Sequence, residues 1–158
     1  MIDTPSACYP LIAVDWGTTN RRAYLIDASG AIIDRREDTL GVLSVPPKGF
    51  GNALGGLIGG WRDVSAGGPP ILMSGMVGSR QGWIEATYAQ CPVDPNILVA
   101  NLVSVPDVED AWIVPGVCLK PVGARRDVMR GEEVQVFGAL AESCRNDATL
   151  CLPGTHNK

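Results

Sequence analysis

The chain has 158 residues, enough for one domain, and 46% of them are hydrophobic against 19% charged, which excludes a disordered chain and allows a sizeable core. A formal net charge of -4 with no basic stretch excludes nucleic acid and anionic membrane surfaces as expected partners. No apolar run approaches the roughly 20 residues of a membrane span, and Met1 to Pro10 lacks the pattern of a secretory signal. Five separated cysteines, Cys8, Cys91, Cys118, Cys144 and Cys151, and a lone histidine, His156, speak against structural zinc and for reduced thiols in a cytoplasmic protein.

Tyr9 to Val14, Arg22 to Ile26 and Ala31 to Arg36 read as three strands joined by tight turns, an antiparallel meander. Phe50, Leu54, Leu57, Ile58 and Trp61 recur at helical spacing, although five glycines between 51 and 60 oppose a helix there. Ile71 to Met73 reads as a buried strand, Ser74 to Gly82 as a glycine-containing loop, and Leu102 to Val105 and Trp112 to Val114 as further strands. Gly131 to Cys144 reads as a helix and Thr149 to Leu152 as a final short strand. The expected architecture is α/β, a mixed five-stranded sheet with an antiparallel meander, later strands parallel, flanked by helices. Trp61 and Trp112 are expected in the core, Trp16 and Trp83 against a pocket. The end of the chain, on a glycine turn after a strand, reads as a cut rather than a finished domain.

Four stretches could carry chemistry. Asp15-Trp16-Gly17-Thr18-Thr19-Asn20 can cradle phosphate oxygens, with Asp15 holding Mg2+ through water, but the same residue types also build ordinary hairpin turns. Met73 to Trp83 combines small residues with Ser79, Arg80, Gln81 and an indole, which suits a polyhydroxylated acid; a solvated surface loop has the same composition. Asp127-Val128-Met129-Arg130-Gly131-Glu132-Glu133 is expected to open the last helix, where carboxylates either cap the helix or take a proton from an attacking hydroxyl. Leu152 to Lys158 is a strand-to-glycine turn whose Gly154 and Thr155 could present N–H groups to a phosphate.

The order of these pieces resembles the actin/hexokinase-like kinases. Ile12 to Arg22 (IAVDWGTTNRR), Leu72 to Glu85 (LMSGMVGSRQGWIE), Asp127 to Gln135 (DVMRGEEVQ) and Leu152 to His156 (LPGTH) resemble successive signatures of the 2-dehydro-3-deoxygalactonokinases. Thr87, Asn157 and Pro121 to Arg126 depart from that pattern. The resemblance implies a ribonuclease H-like domain, with residues 1–158 as the N-terminal substrate- and phosphate-binding lobe and the adenosine pocket in a second lobe. It implies cytoplasmic, ATP- and Mg2+-dependent phosphorylation of the terminal hydroxyl of 2-dehydro-3-deoxy-D-galactonate in galactonate breakdown. It places Asp15 at the metal. It turns Gly17, Thr18, Thr19, Asn20, Gly154 and Thr155 to the phosphates, and Ser74, Ser79, Arg80, Gln81 and Trp83 to the sugar acid. Glu132 is the expected base and Asp127 the second choice. Another sugar or sugar-acid kinase of the superfamily, or a non-catalytic actin-like binding fragment, is the alternative, and a homo-oligomer stays open.

Overall fold

The structure, a computed structural model, describes residues 10–62, 68–120, 127–143 and 148–152. Three antiparallel strands come first: β1 (Leu11–Trp16), β2 (Arg21–Ile26) and β3 (Ile32–Asp38). β1 pairs with β2 from Leu11 opposite Ile26 to Trp16 opposite Arg21, and β2 pairs with β3 from Arg21 opposite Asp38 onward. The two-residue period of a strand sends Ile12, Val14 and Trp16 into the core and leaves Ala13 and Asp15 on the other face.

Helix α1 (Phe50–Ile58) packs on the buried face through Phe50, Leu54, Leu57 and Ile58. It contains three glycines, Gly51, Gly55 and Gly56, each costing about 1 kcal/mol against alanine. Burying each large apolar side chain returns roughly 1.5–3 kcal/mol, so packing outweighs propensity and the helix forms. The chain then returns as β4 (Ile71–Gly75), parallel to β1, with Asp15 opposite Ser74 and Trp16 opposite Gly75.

Beyond β4 lie β5 (Ala89–Gln90), α2 (Pro95–Ala100), β6 (Val103–Ser104), β7 (Ala111–Ile113), β8 (Val117–Leu119), β9 (Asp127–Met129) and α3 (Glu132–Ser143). The main sheet has the order β3-β2-β1-β4-β7-β6, and a second sheet the order β5-β8-β9. β7 runs parallel to β4, whereas β6 is antiparallel to β7. Val114, Val117, Ala89 and Leu98 form a smaller core under the second sheet, against which Phe137 of α3 packs. Cys91, Cys118 and Cys151 are free thiols. No helix among the described residues is long and apolar enough to cross a membrane.

The meander, α1, β4 and α3 match expectation, but several details differ. The main sheet has six strands, not five, because β6 adds an antiparallel edge beside β7. Residues 149–152 form no strand; the flank of β7 away from β4 is already held by β6. Asp127 does not open a helix. Asp127, Val128 and Met129 pair with Leu119, Cys118 and Val117 as β9, and α3 starts only at Glu132. Trp16 is a core residue with no exposed surface, since the alternation of β1 runs through it. Trp61 and Trp112 are only half-buried, and the Trp61 indole N–H donates to Asp34 at 2.9 Å.

One buried cation ties the meander to α1. Arg21 is 3% exposed. Its Nε and Nη2 donate to the two Asp38 oxygens at 2.8 Å each, its Nη1 donates to the Ala53 carbonyl at 2.7 Å, and its guanidinium lies 4.9 Å over the Trp16 ring. The same pair holds the Asp38 carboxyl below its ordinary pKa, chiefly through the Arg21 hydrogen bonds. Arg21→Ala is expected to lower unfolding free energy by about 1.5–3 kcal/mol, the scale of hydrogen bonds to a charged group, read from urea denaturation. Arg21→Lys is expected to recover little of it, because an ammonium cannot make the paired bonds of the fork.

Candidate active site

The carboxyl ends of β1 and β4 lie side by side, and a turn, a loop and a helix start converge there. The turn at 17–20 closes with Gly17 N–H donating to the Asn20 carbonyl at 2.9 Å. The carbonyls of Gly17 and Thr19 accept from Val42 and Gly41 at 3.0 Å, and that of Thr18 from Leu43 at 3.4 Å. The carbonyl side of the turn is therefore committed inward, and Thr18, Thr19 and Asn20 are exposed. Asp15, one residue inside the strand end, stands between Arg22 on β2 and Ser74 on β4. Burial raises its pKa; the charge of Arg22 and a hydrogen bond from Arg22 Nη1 at 3.4 Å oppose this, and the negative charge of Glu132 adds to it.

Glu132 is brought to Asp15 by a backbone contact. Gly75 ends β4 with φ +91°, and Gly131 precedes α3 with φ +105°. A Cβ on Gly131 would lie 3.1 Å from the Gly75 Cα, and one on Gly75 would lie 2.8 Å from the Trp16 carbonyl oxygen. Only glycine meets both demands, the left-handed φ and the close approach. At the helix start, Glu132 Oε2 accepts from Arg130 N–H at 2.9 Å, and Glu133 Oε1 and Oε2 accept from Gly131 N–H at 2.9 and 2.7 Å.

The stretch after β4 forms a 3-10 turn, Met76–Gly78, then a tight loop. Ser79 Oγ donates to the Met76 carbonyl at 2.8 Å, Trp83 N–H to Val77 at 2.8 Å and Ala86 N–H to Gly78 at 2.9 Å. Arg80 is 87% exposed, with its Nε 3.2 Å from Glu85 Oε1, and Gln81 is exposed beside it. Trp83 stacks on Phe50, ring centroids 5.9 Å apart, and overlies Gly51.

The matching family model, 2-keto-3-deoxy-galactonokinase, covers residues 15–158. The chain belongs to this family. It is 39% identical over 150 residues to the probable 2-dehydro-3-deoxygalactonokinase of Rhizobium meliloti (strain 1021), covering 92% of this chain and 47% of that protein. It is 36% identical over 147 residues to the 2-dehydro-3-deoxygalactonokinase of Escherichia coli (strain K12), covering 93% and 47%. The crystal structure of a putative 2-dehydro-3-deoxygalactonokinase from Sinorhizobium meliloti superposes with a TM-score of 0.81 at 37% identity, covering 93% of this chain and 48% of that one. The chain thus spans about half the length of the curated relatives it matches.

In this member of the 2-keto-3-deoxy-galactonokinase family, a cleft of about 240 Å³ opens on the sheet face opposite α1, lined among others by Asp15, Ser74, Tyr24, Gly131, Val134 and Gln135. Asp15 and Ser74 thus share one cleft, and Glu132, outside its lining, is near enough for its charge to act on Asp15, while Ser79, Arg80, Gln81 and Trp83 form a neighbouring loop also outside the lining. Trp83 instead lines a second cleft with Lys48, Asn52 and Asp107. Asp127 is exposed on β9, and Gly154 and Thr155 lie outside the described residues. Among the described residues, no cluster of three or more His, Cys, Asp or Glu could hold a metal. Asp15 alone, part-buried at the end of β1, does suit Mg2+, which keeps water and substrate phosphate oxygens as most of its ligands.

Glu133 differs from Glu132 in depth, which the sequence did not show. It is 1% exposed, and burial, reinforced by the charge of Glu132, pushes its pKa up to about 7 despite the Gly131 N–H and the Arg130 charge. A carboxyl with a raised folded pKa holds its proton preferentially in the folded state, so stability is lost as pH rises from its ordinary value toward the folded one. A move from 4.5 to about 7 corresponds to on the order of 3 kcal/mol. The urea midpoint is expected to fall between pH 5 and pH 8, and Glu133→Gln to flatten that slope by staying neutral throughout.

Proposed function

We propose that this chain is the acceptor-binding lobe of an ATP-dependent sugar-acid kinase that phosphorylates the terminal hydroxyl of 2-dehydro-3-deoxy-D-galactonate, a cytoplasmic reaction of galactonate breakdown. The observation that carries the reading is the convergence of Asp15 and Glu132 at the β1 end, beside a turn with exposed hydroxyl and amide side chains and a loop rich in polar groups. The partial order β3-β2-β1-β4-β7, a meander followed by two parallel strands, supports a ribonuclease H-like core of the actin/hexokinase type. We assign residues 1–158 to the first lobe and the adenosine pocket to sequence corresponding to the other half of the relatives.

Phosphoryl transfer asks a protein mainly for position and charge. Gly17, Thr18, Thr19 and Asn20 face the transferred phosphate, and Gly154 and Thr155 are assigned to phosphate binding as well. Asp15 would hold Mg2+ through water, and the ion when bound would neutralise charge on the phosphate oxygens. Ser74, Ser79, Gln81 and Trp83 contact the acid's polyol chain, and Arg80 pairs with its carboxylate. Glu132 accepts the proton of the terminal hydroxyl as the new O–P bond forms and the bond to the leaving diphosphate breaks. Glu132 suits this role because it opens α3 next to Gly131 of the cleft and its charge acts on Asp15, whereas Asp127 is exposed on β9 and is the second candidate.

In the protein carrying both halves, Glu132→Gln is expected to lower kcat on the order of 10²-fold or more, the scale of a positioned base, with Asp127→Asn mild. The reverse pattern transfers the role to Asp127. For Arg80, the split between Michaelis constants is the measurement. Arg80→Ala is expected to raise KM for the acid at least tenfold and leave KM for ATP unchanged, and an unaltered acid KM removes Arg80 from the site.

A further inference from the structure

We propose that Arg130 is a positioning residue that holds the acceptor loop in register with Glu132. The inference rests on the kinase reading above and adds a residue to it. Arg130 lies between β9 and α3, and its two ends reach different parts of the site. Its main-chain N–H donates to Glu132 Oε2 at 2.9 Å. Its side chain runs the other way, where Nη2 donates to the Ala86 carbonyl at 2.7 Å. The guanidinium carbon sits 4.3 Å over the Tyr88 ring. At Gly78 there is space for this guanidinium only because no side chain is present, since a Cβ would come within 2.9 Å of Nη1.

Gly78 and Ala86 are the two ends of the acceptor loop, closed on each other by the Ala86 N–H bond to the Gly78 carbonyl at 2.9 Å. Arg130 touches both ends. Ser79, Arg80, Gln81 and Trp83 hang between them, so a shift of this guanidinium moves all four relative to Glu132.

The energetics argue against a role in stability alone. Arg130 Nε and Nη1 are buried and have no protein partner. Desolvated donors left unpaired cost free energy, and an apolar side chain of similar volume often serves a core equally well or better. What a guanidinium offers here is geometry, a rigid plane that bonds one carbonyl edge-on while lying flat on a ring. The bonding carbonyl belongs to the loop and the main chain to the base, so geometry is what the residue transmits. Misplacement of reacting groups by about 1 Å can cost 10²-fold in rate, which makes such a link visible in kinetics.

The test uses the protein carrying both halves, with 2-dehydro-3-deoxygalactonate and ATP, and compares Arg130→Met and Arg130→Lys with the unaltered enzyme. Each turnover is followed twice, as phosphorylated acid and as free phosphate. The expected result for Arg130→Met is a kcat 30- to 100-fold lower, on the scale set by such misplacement, with KM for ATP unchanged. Free phosphate should rise as a fraction of ATP consumed, because water replaces a misplaced hydroxyl. Arg130→Lys keeps the charge but not the plane and should show the same signature at smaller size. It also carries the test if the methionine variant does not fold. A purely structural role predicts a lower Tm with kcat and the phosphate fraction unaltered in the folded variants, and that outcome overturns the proposal. If the unaltered enzyme phosphorylates the acid and the variants match it, Arg130 alone loses its role. If the unaltered enzyme transfers nothing to the acid, the kinase reading falls and the proposal falls with it.

Discussion

Everything near the candidate site depends on two glycines meeting backbone to backbone. The approach of Gly131 to Gly75 lets the start of α3 reach the end of β4, which β1 adjoins in parallel. Without it Glu132 would stand at least one side chain farther from Asp15. Both glycines carry a left-handed φ that a residue with a Cβ adopts only under strain. The contact thus fixes position twice, by removing volume and by turning the chain sharply, once out of β4 and once into α3. The turn at 17–20 is held by a separate device, the carbonyl bonds to residues 41–43. Two independent anchors therefore locate the turn at 17–20 and the carboxylate-bearing helix at the same ends of β1 and β4.

Charge is concentrated where that contact places it. Asp15, Glu132 and Glu133 crowd one region, and Arg22 and Arg130 are the cations near them. The two arginines relieve the carboxylates only in part, since burial still raises the pKa of Asp15 and of Glu133. Carboxylates crowded in this way disfavour one another's charged forms, and burial adds to the effect. Titratable groups displaced by burial and by one another are also the usual mark of a working site.

Much of the fold was legible because local and nonlocal signals agreed. Strand alternation and tight turns marked β1, β2 and β3, and the spacing of Phe50, Leu54, Leu57 and Ile58 outweighed the glycines of α1. α2 carried a readable start, since Asp94 caps it by accepting from Ile97 N–H at 2.9 Å and Pro95 follows, but its six residues are too few for a periodic pattern. The strands β5, β8 and β9 have two or three residues each. Nothing local distinguishes such strands from loop, because they exist through partners far along the chain. That is also why Asp127 was placed on a helix. A run of carboxylates before an apolar helix reads as a cap, and only the pairing of Val128 with Cys118 shows that the first of them belongs to a sheet.

The site was legible in its residue types and less so in its depth. Asp15 could be found from its place at a strand end before a turn of small polar residues. Trp16, its neighbour, was drawn into the same turn, although the two-residue period already placed it with Ile12 and Val14. Glu132 and Glu133 are adjacent and chemically alike in sequence, yet one is part-exposed and the other is buried. Adjacent positions on a helix lie about 100° apart, since a turn takes 3.6 residues. The start of α3 meets the sheet on one side only, so a single step along the chain separates a part-exposed carboxylate from a buried one. Periodicity supplies that angle. It supplies no origin for it until the Gly75 contact says which side of the helix faces in.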